Sequence, residues 1–292
     1  MSTAVAVTTG HVTAVLRLPD GTDTAAAARA ARMLPGGWHL APAAGPARLD
    51  IGAGPASITA TARTIRLRLP ARQLPTDTLA YVTYTALERL RQQRHLVSVH
   101  ANALVAPDGR AVLLLGSKGT GKTTTTLALA GHGWTHAGDD LVVLAEDGDG
   151  TLSVLPGKPT AALRPADPAL HHLPKPLLDL APFALRPAPL ALIVRLGVHP
   201  AAATGRLAAA TPFTVNERLR LHEMLARYIS GLPTPLTGVS RAPFGPVWPI
   251  DTPSCARWRC HLLGRLERTP YLYLHAPSAQ AAADLIAREY TG

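Results

Sequence analysis

The segment GSKGTGKT, residues 116–123, has the residue types and the spacing of a phosphate-binding loop (P-loop). It matches the Walker A pattern Gly-x-x-x-x-Gly-Lys-Ser/Thr at every fixed position. Its glycines let the backbone turn so that successive N–H groups point at phosphate oxygens. In this pattern Lys122 neutralises the β- and γ-phosphates, and the hydroxyl group of Thr123 binds magnesium. The segment therefore predicts a site for a nucleoside triphosphate.

The residues expected to bind the nucleotide extend into the helix predicted after this loop. The N-terminal N–H groups and the positive dipole end of such a helix favour an anion. The predicted binding residues are Gly116, Ser117, Lys118, Gly119, Thr120, Gly121, Lys122, Thr123 and Thr124. ATP with Mg²⁺ is the expected ligand, and GTP or another phosphoryl donor stays an alternative because no base-reading motif is visible.

Two adjacent acids, Asp139 and Asp140, follow the predicted helix at a spacing that returns them to the loop. A helix from Gly121 to about Gly131 carries the chain roughly 16 Å away from the phosphates. Residues 134–138, if extended, carry it back by about the same distance. The pair is therefore expected where a magnesium ligand and a general base are needed. A turn in which the aspartates cap backbone N–H groups is the alternative.

Asp147 is a rival magnesium ligand, because it ends the apolar run LVVLAED as the acid does in many P-loop proteins. However, the residues DGDG at 147–150 are typical of a hairpin turn. The run that leads to Asp147 also points away from the predicted phosphate site. We therefore favour the aspartate pair, and Asp147 stays the alternative.

A β-hairpin is expected to position the loop. The apolar runs 97–105 and 111–116 flank Pro107-Asp108-Gly109, and Asp-Gly between two such runs is a strong hairpin signal. A two-residue turn on the Asp-Gly pair places His100 opposite Ser117, and a one-residue bulge shifts this pairing by one position. Either register brings His100 beside the loop.

The N-terminal part, residues 1–75, carries no chemical motif. Alternating apolar residues predict strands over 12–19 and 57–70, and an Ala-rich segment predicts a helix over 25–33. We expect a small N-terminal α+β lobe of unknown role, followed by a P-loop domain over 76–292. Helical spacing predicts further helices from Thr76 or Asp77 to about Arg94, and over 216–231.

Phosphoryl transfer needs a second cationic group to stabilise the transferring phosphoryl. Lys158 and Arg164 are the nearest candidates in sequence, and a solvated surface is the alternative for either. A cluster of aromatic and Arg residues is a candidate acceptor-binding loop. It consists of Trp248, Arg257, Trp258 and Arg259.

The composition of the chain excludes several classes of protein. The chain has 292 residues, with 29 basic and 19 acidic side chains and a formal charge of +10. The charge is spread out and not interleaved with stacking aromatics, so nucleic acid is not an expected partner. No apolar stretch reaches the roughly 20 residues of a membrane span, and residues 1–12 lack the pattern of a signal peptide. Two cysteines exclude a disulfide scaffold. We expect a cytoplasmic protein.

These residues resemble the HPr kinase/phosphorylase family and its shorter relatives, which are protein-serine kinases with a fold akin to phosphoenolpyruvate carboxykinase. The resemblance covers about 97–145 well: a strand with His100, the Asp-Gly turn, GSKGTGKT, GHGW and the aspartate pair. It is weaker over 154–165 and 266–287. The resemblance implies an α/β fold with a P-loop core of the HPr kinase and phosphoenolpyruvate carboxykinase type.

The resemblance also implies roles for single residues. His100 lies near the γ-phosphate, while Lys122 and Thr123 hold phosphate and magnesium. Asp139 is the base for the acceptor hydroxyl, and Asp140 supports it or binds the metal. Which aspartate has which role stays open. The catalytic candidates are thus Asp139, Lys122 and His100, and the metal candidates are Thr123 and Asp140.

The implied activity is that of an ATP- and magnesium-dependent serine kinase acting on a peptide or small protein. The Gly- and Arg-rich segment that full-length enzymes use at the acceptor side is not found, so an acceptor other than HPr is expected. The closer likeness is to short relatives among peptide- and natural-product-tailoring proteins. A non-catalytic nucleotide-binding accessory protein and a small-molecule kinase are the alternatives, and a homo-oligomer is open because full-length members are oligomers.

Overall fold

The structure is a computed structural model with a mixed α/β fold. It describes residues 2–9, 12–30, 34–35, 39–42, 48–61, 63–163, 169, 172, 175–229 and 250–291. The chain forms two compact units: residues 1–98 with 222–261, and residues 99–221 with 262–292. The domain boundary predicted at residue 75 stays a prediction. It does not coincide with the boundaries of these two units.

The first 99 residues alternate between strands and short helices. The described strands are β1 (Ser2–Thr9), β2 (Val12–Pro19), β3 (His39–Pro42), β4 (Leu49–Ala53), β5 (Ser57–Ala60), β6 (Ile65–Leu69) and β7 (Leu96–Val99), and the helices are α1 (Ala25–Ala30), α2 (Thr78–Ala86) and α3 (Glu88–Gln92). Strands β1 to β6 form one sheet in the order β3-β1-β2-β4-β6-β5.

The sequence patterns of this unit are largely confirmed. Strand β2 occupies the predicted residues, and its alternate residues are buried, as expected for a half-buried strand. The segment 57–70 forms two antiparallel strands, β5 and β6, instead of one. The helix predicted to reach Arg94 is divided between α2 and α3 at Leu87. The helix predicted over 25–33 is confirmed to Ala30, and 31–33 lie outside the described residues.

The rest of the chain contains the elements that carry the candidate site. Those that the structure describes are β8 (Asn102–Val105), β9 (Ala111–Leu115), α4 (Lys122–Ala130), β10 (Thr135–Gly138), β11 (Val142–Glu146), β12 (Leu152–Leu155), β13 (Thr160–Ala162), β14 (Leu177–Asp179), β15 (Ala188–Val198), β16 (Arg206–Ala209), α5 (Val215–Ala226), α6 (Pro253–Arg268), β17 (Tyr271–Ala276) and α7 (Ala279–Thr291).

Strand β15 is central in the second unit. It pairs in parallel with β9 on one side and with β17 on the other, and its first residues pair with β12. Strands β8 and β10 continue the sheet beyond β9. Every residue of β9 is buried, which is typical of a strand covered on both faces. Residues of α4 and α7, including Leu129 and Ile286, pack with Val112, Leu114 and Val194 in one apolar cluster.

The predicted hairpin is confirmed, but its two-residue turn is wrong. The connection has three residues, Pro107 to Gly109, and Ala106 N–H donates to Arg110 O across it. Gly109 has a φ of 85°, the left-handed conformation that a three-residue hairpin loop requires. The added residue changes the register, so Asn102 lies opposite Leu114.

The candidate acceptor-binding loop is not supported. Trp258 and Arg259 are buried residues of α6, and Arg259 donates to Gln92 and Asp251. Their side chains therefore stabilise the first unit, and Trp248 lies outside the described residues. The helix predicted over 216–231 is confirmed to Ala226 as α5, residues 227–229 form a turn, and 230–231 lie outside the described residues. Within the described ranges, no helix is long and apolar enough to cross a bilayer.

Candidate functional site

The glycine-rich loop, residues 116–121, connects β9 to α4, and two of its glycines have the left-handed conformation. Gly119 and Gly121 have φ values of 88° and 86°, which other residues rarely adopt. A Cβ atom at Gly121 would lie 2.9 Å from the Cβ of Val198 on β15. The loop is therefore packed closely against the neighbouring strand, and its path needs a residue without a side chain.

Lys122, the first residue of α4, folds back over the loop. Its ammonium group donates to Gly116 O at 2.9 Å and to Ser117 O at 3.2 Å. Burial lowers the pKa of Lys122, whereas the negative charges of Asp140 and, to a smaller extent, Asp139 act in the opposite direction. The two carbonyl contacts hold the cation within the curve of the loop, at the place predicted for the phosphate oxygens.

The remaining predicted nucleotide-binding residues line the same loop. Ser117, Lys118 and Gly119 are exposed, and the hydroxyl of Thr120 donates to Ser117 O at 2.9 Å. Thr124 donates in the same way to a loop carbonyl, that of Gly121, at 2.9 Å. These side-chain bonds fix the loop from within and leave its outer face open to a ligand.

The structure brings Asp139 to the start of α4, as the chain-length argument predicts. Its Oδ1 accepts a hydrogen bond from the Thr123 hydroxyl at 2.7 Å and another from Asn102 Nδ2 at 2.6 Å. Asp139 is only 1% exposed. A carboxylate immediately after β10 is thus bonded directly to the threonine of the Walker A pattern.

The second oxygen of Asp139 differs from the first. Oδ2 is buried and has no hydrogen-bond partner among the described residues, and Lys158 Nζ lies 3.7 Å from it. Burial raises the pKa of Asp139, the charge of Asp140 raises it further, and Lys158, Thr123 and Asn102 lower it. A carboxylate with a raised pKa is suited to accept a proton.

Asp140 occupies a strained turn and is exposed. Its φ is 60°, and Leu141 N–H donates to Asp139 O across it at 2.7 Å. Asp140 N–H donates to Asn102 Oδ1 at 3.0 Å. No described backbone N–H donates to either carboxylate, so these aspartates do not cap the turn. The charge of Asp140 opposes the effect of burial on the pKa of Lys122, so this carboxylate interacts electrostatically with that ammonium group.

His100 and Asp147 are the remaining acid and base candidates from the sequence. His100 is half buried at the bend before β8, outside the β8–β9 pairing, and its proximity to a γ-phosphate stays a prediction. Asp147 lies in the turn between β11 and β12, where Gly150 N–H donates to its carbonyl at 2.8 Å. Strands β11 and β12 pair antiparallel across this turn, so the hairpin prediction for 147–150 is confirmed. The five residues of β11 extend about 16 Å from the aspartate pair.

The sequence analysis did not identify one residue of this site and did not choose between two candidates for another. Asn102 was missed, although a fully buried amide in an otherwise apolar strand is a recognisable signal. Lys158 was one of two candidate cations, and the structure places it beside Asp139 at 4% exposure. Arg164 lies outside the described residues.

Two glycines allow the segment of Lys158 to approach Asp139. A Cβ at Gly138 would lie 3.0 Å from the Cα of Gly157, and a Cβ at Gly157 would lie 2.8 Å from Leu141 O. Gly157 N–H donates to Ala137 O at 2.6 Å. The two backbones therefore touch at this point.

The donor atoms fit magnesium. Among the residues that the structure describes, no three His, Cys, Asp or Glu side chains form a metal-binding group. Magnesium takes oxygen ligands, keeps several waters and needs only one or two carboxylates beside substrate phosphates. The Thr123 hydroxyl and the exposed Asp140 carboxylate provide such ligands.

The sequence matches no protein-family model, and no curated protein matches it either. Among solved structures, the chain is similar to the HPr(Ser) kinase/phosphatase from Coxiella burnetii, with 20% identity and a TM-score of 0.28. The match covers 38% of this chain and 75% of that one. The functional proposal therefore rests on the side chains of the site.

Proposed function

We propose that this chain is an ATP- and magnesium-dependent phosphotransferase that phosphorylates a hydroxyl group. The observation that carries the proposal is the 2.7 Å bond between Thr123 and the buried Asp139. It joins the end of a Walker A loop to a carboxylate, which is the combination that P-loop enzymes use at the transferring phosphoryl.

The loop and its lysine bind the donor in this proposal. Backbone N–H groups of the glycine-rich loop and the N-terminus of α4 bind phosphate oxygens. Lys122 neutralises charge on the β- and γ-phosphates. Magnesium, when bound by Thr123 and Asp140, supplies further neutralisation of the phosphate oxygens.

Asp139 acts as the general base. Because Oδ1 is already bonded to Thr123 and Asn102, the proton of the acceptor hydroxyl goes to Oδ2. The hydroxyl oxygen forms a bond to the γ-phosphorus while the bond from that phosphorus to the bridging oxygen breaks. The electrons of the broken bond leave with the nucleoside diphosphate, so atoms and charges balance.

The proposed acceptor is a serine of a peptide or small protein. This choice comes from the resemblance of residues 97–145 to the HPr kinase family and from the absence of the segment that full-length enzymes use for HPr. A serine hydroxyl needs little activation beyond positioning and a base, which suits a site whose catalysis is mainly electrostatic.

The test is transfer from γ-labelled ATP with magnesium into an extract of the source organism, with mass spectrometry to locate the label. Wild type is compared with Asp139→Asn and with Asp147→Asn as a control in the β11–β12 turn. Label on one serine-containing species that is lost only in Asp139→Asn supports the proposal.

Other outcomes identify the alternatives. ATP binding without transfer, unchanged in Asp139→Asn, indicates a nucleotide-binding accessory protein. Label in a small molecule, abolished by Asp147→Asn and retained by Asp139→Asn, indicates a small-molecule kinase with a different acid.

A further inference from the structure

Lys158 and Asp139 form a buried ion pair with unused hydrogen-bonding capacity. Their side chains are 5% and 2% exposed, and Nζ lies 3.7 Å from Oδ2. This distance exceeds that of a hydrogen bond, and Oδ2 accepts none from the described residues. Buried ion pairs are costly to form unless such atoms are satisfied. The pair is therefore incomplete as a purely structural contact.

The backbone fixes the position of Lys158. Its N–H donates to Leu141 O at 3.0 Å, and its carbonyl accepts from Asp139 N–H at 3.2 Å. Gly157, immediately before it, donates to Ala137 O. These three bonds attach the segment to both sides of the aspartate turn, so the fold itself delivers a lysine to this position.

One additional oxygen atom would complete the pair. An oxygen about 2.8 Å from both Nζ and Oδ2 can bond to each of them. Oδ1 of the same carboxylate is bonded to Thr123, which follows Lys122 at the start of α4. In a phosphoryl transfer, the oxygens at that place belong to the attacking hydroxyl and to the transferring phosphoryl group.

We propose that Lys158 is a catalytic residue that contacts the transferred phosphoryl group, as a second cation in addition to Lys122. The inference rests on the proposed function and deepens it. While the hydroxyl oxygen bonds to phosphorus and the diphosphate leaves, the hydroxyl proton goes to Asp139 Oδ2. Lys158 keeps its own proton and stabilises the charge on the phosphoryl oxygens.

The test compares two magnesium-bound nucleotides, ADP and the imido analogue of ATP, by titration calorimetry. Lys158→Met removes the charge and keeps the length of the side chain. If Lys158 contacts the γ-phosphoryl, the variant binds the ATP analogue at least about tenfold more weakly and binds ADP within about twofold of wild type. Lys158→Arg retains most of the affinity, and Lys175→Met, at an exposed site, changes neither nucleotide.

A structural role gives a different pattern. An equal loss for both nucleotides, or no loss for either, overturns the inference. Loss of folding in Lys158→Met that is reversed in the double variant Asp139→Asn/Lys158→Met, with normal binding of the ATP analogue, also overturns it. Thermal unfolding of each variant separates these outcomes from a binding effect.

Failure of the proposed function can be distinguished from failure of the inference about Lys158. If wild type binds both nucleotides and transfers no phosphate, the phosphotransferase proposal fails, but the affinity ratio in Lys158→Met still shows whether Lys158 contacts the γ-phosphoryl. If transfer occurs, the kcat of Lys158→Met is expected to fall about 10²–10³-fold. Unchanged kcat overturns the role of Lys158 and leaves the proposed function intact. Wild type that binds no nucleotide overturns both.

Discussion

Replacing Asn102 with alanine removes the side chain that holds both aspartates. Asn102 donates to Asp139 Oδ1 at 2.6 Å and accepts from Asp140 N–H at 3.0 Å. A hydrogen bond to a charged group contributes about 1.5–3 kcal/mol. Asp140 is exposed, so in the variant water compensates in part for the lost hydrogen bond from Asp140 N–H. We expect Asn102→Ala to lower the free energy of unfolding by about 2–4 kcal/mol.

The assay is urea unfolding followed by far-UV circular dichroism, with Asn216→Ala on the exposed face of α5 as the control. The control is expected to stay within about 0.5 kcal/mol of wild type. Because two compact units can unfold separately, hydrogen exchange at the Asp140 amide gives a local second measurement, and this amide should exchange faster in Asn102→Ala.

A double-mutant cycle identifies the partner of Asn102. If its bond to the Asp139 carboxylate matters, Asn102→Ala costs at least about 1 kcal/mol less in an Asp139→Asn background. Equal costs in the two backgrounds, or a loss below about 1 kcal/mol in the wild-type background with normal exchange at Asp140, would refute the hydrogen-bond reasoning.

Three further predictions concern other parts of the site. Lys122→Met should lower the rate of transfer by about 10²–10³-fold, and an unaltered rate contradicts the role of the loop. Gly121→Ala and Gly133→Ala introduce a Cβ at φ values of 86° and 82°, but only the first meets Val198. Gly121→Ala should therefore weaken ATP binding in calorimetry while Gly133→Ala does not, and equal effects would contradict the packing. Burial lowers the pKa of His136. The unfolded chain then binds a proton first, so stability falls as pH drops through about 6.5. Urea midpoints at pH 7.5 and 5.5 should differ less in His136→Gln than in wild type, and an equal difference refutes this.

The sequence predicts the parts of the site whose positions follow from local spacing. The loop follows from a fixed pattern, and the return of Asp139 follows from a helix and a strand of matched lengths. Neither conclusion needs knowledge of which strands pair. That is why the return of Asp139 to the start of α4 could be predicted from the chain alone.

Contacts between distant strands were harder to predict. Asn102 reaches Asp139 because β8 pairs with β10, with Ala103 opposite Gly138, and no local pattern in the sequence encodes that pairing. The approach of Lys158 depends on backbone bonds to the aspartate turn, which no local pattern encodes. The grouping of residues 222–261 with the N-terminal residues likewise depends on tertiary packing.

The close approach of Gly138 and Gly157 can be turned into a way of finding similar chains in genomes. A side chain at either position would separate the two backbones and move the lysine away from the carboxylate. Selection for the ion pair should therefore preserve two short sequence motifs in addition to the Walker A segment. The first is Gly-Asp-Asp at 138–140, and the second is Gly-Lys, which begins seventeen residues after Asp140. Chains that keep the aspartate pair and the lysine are therefore expected to keep both glycines.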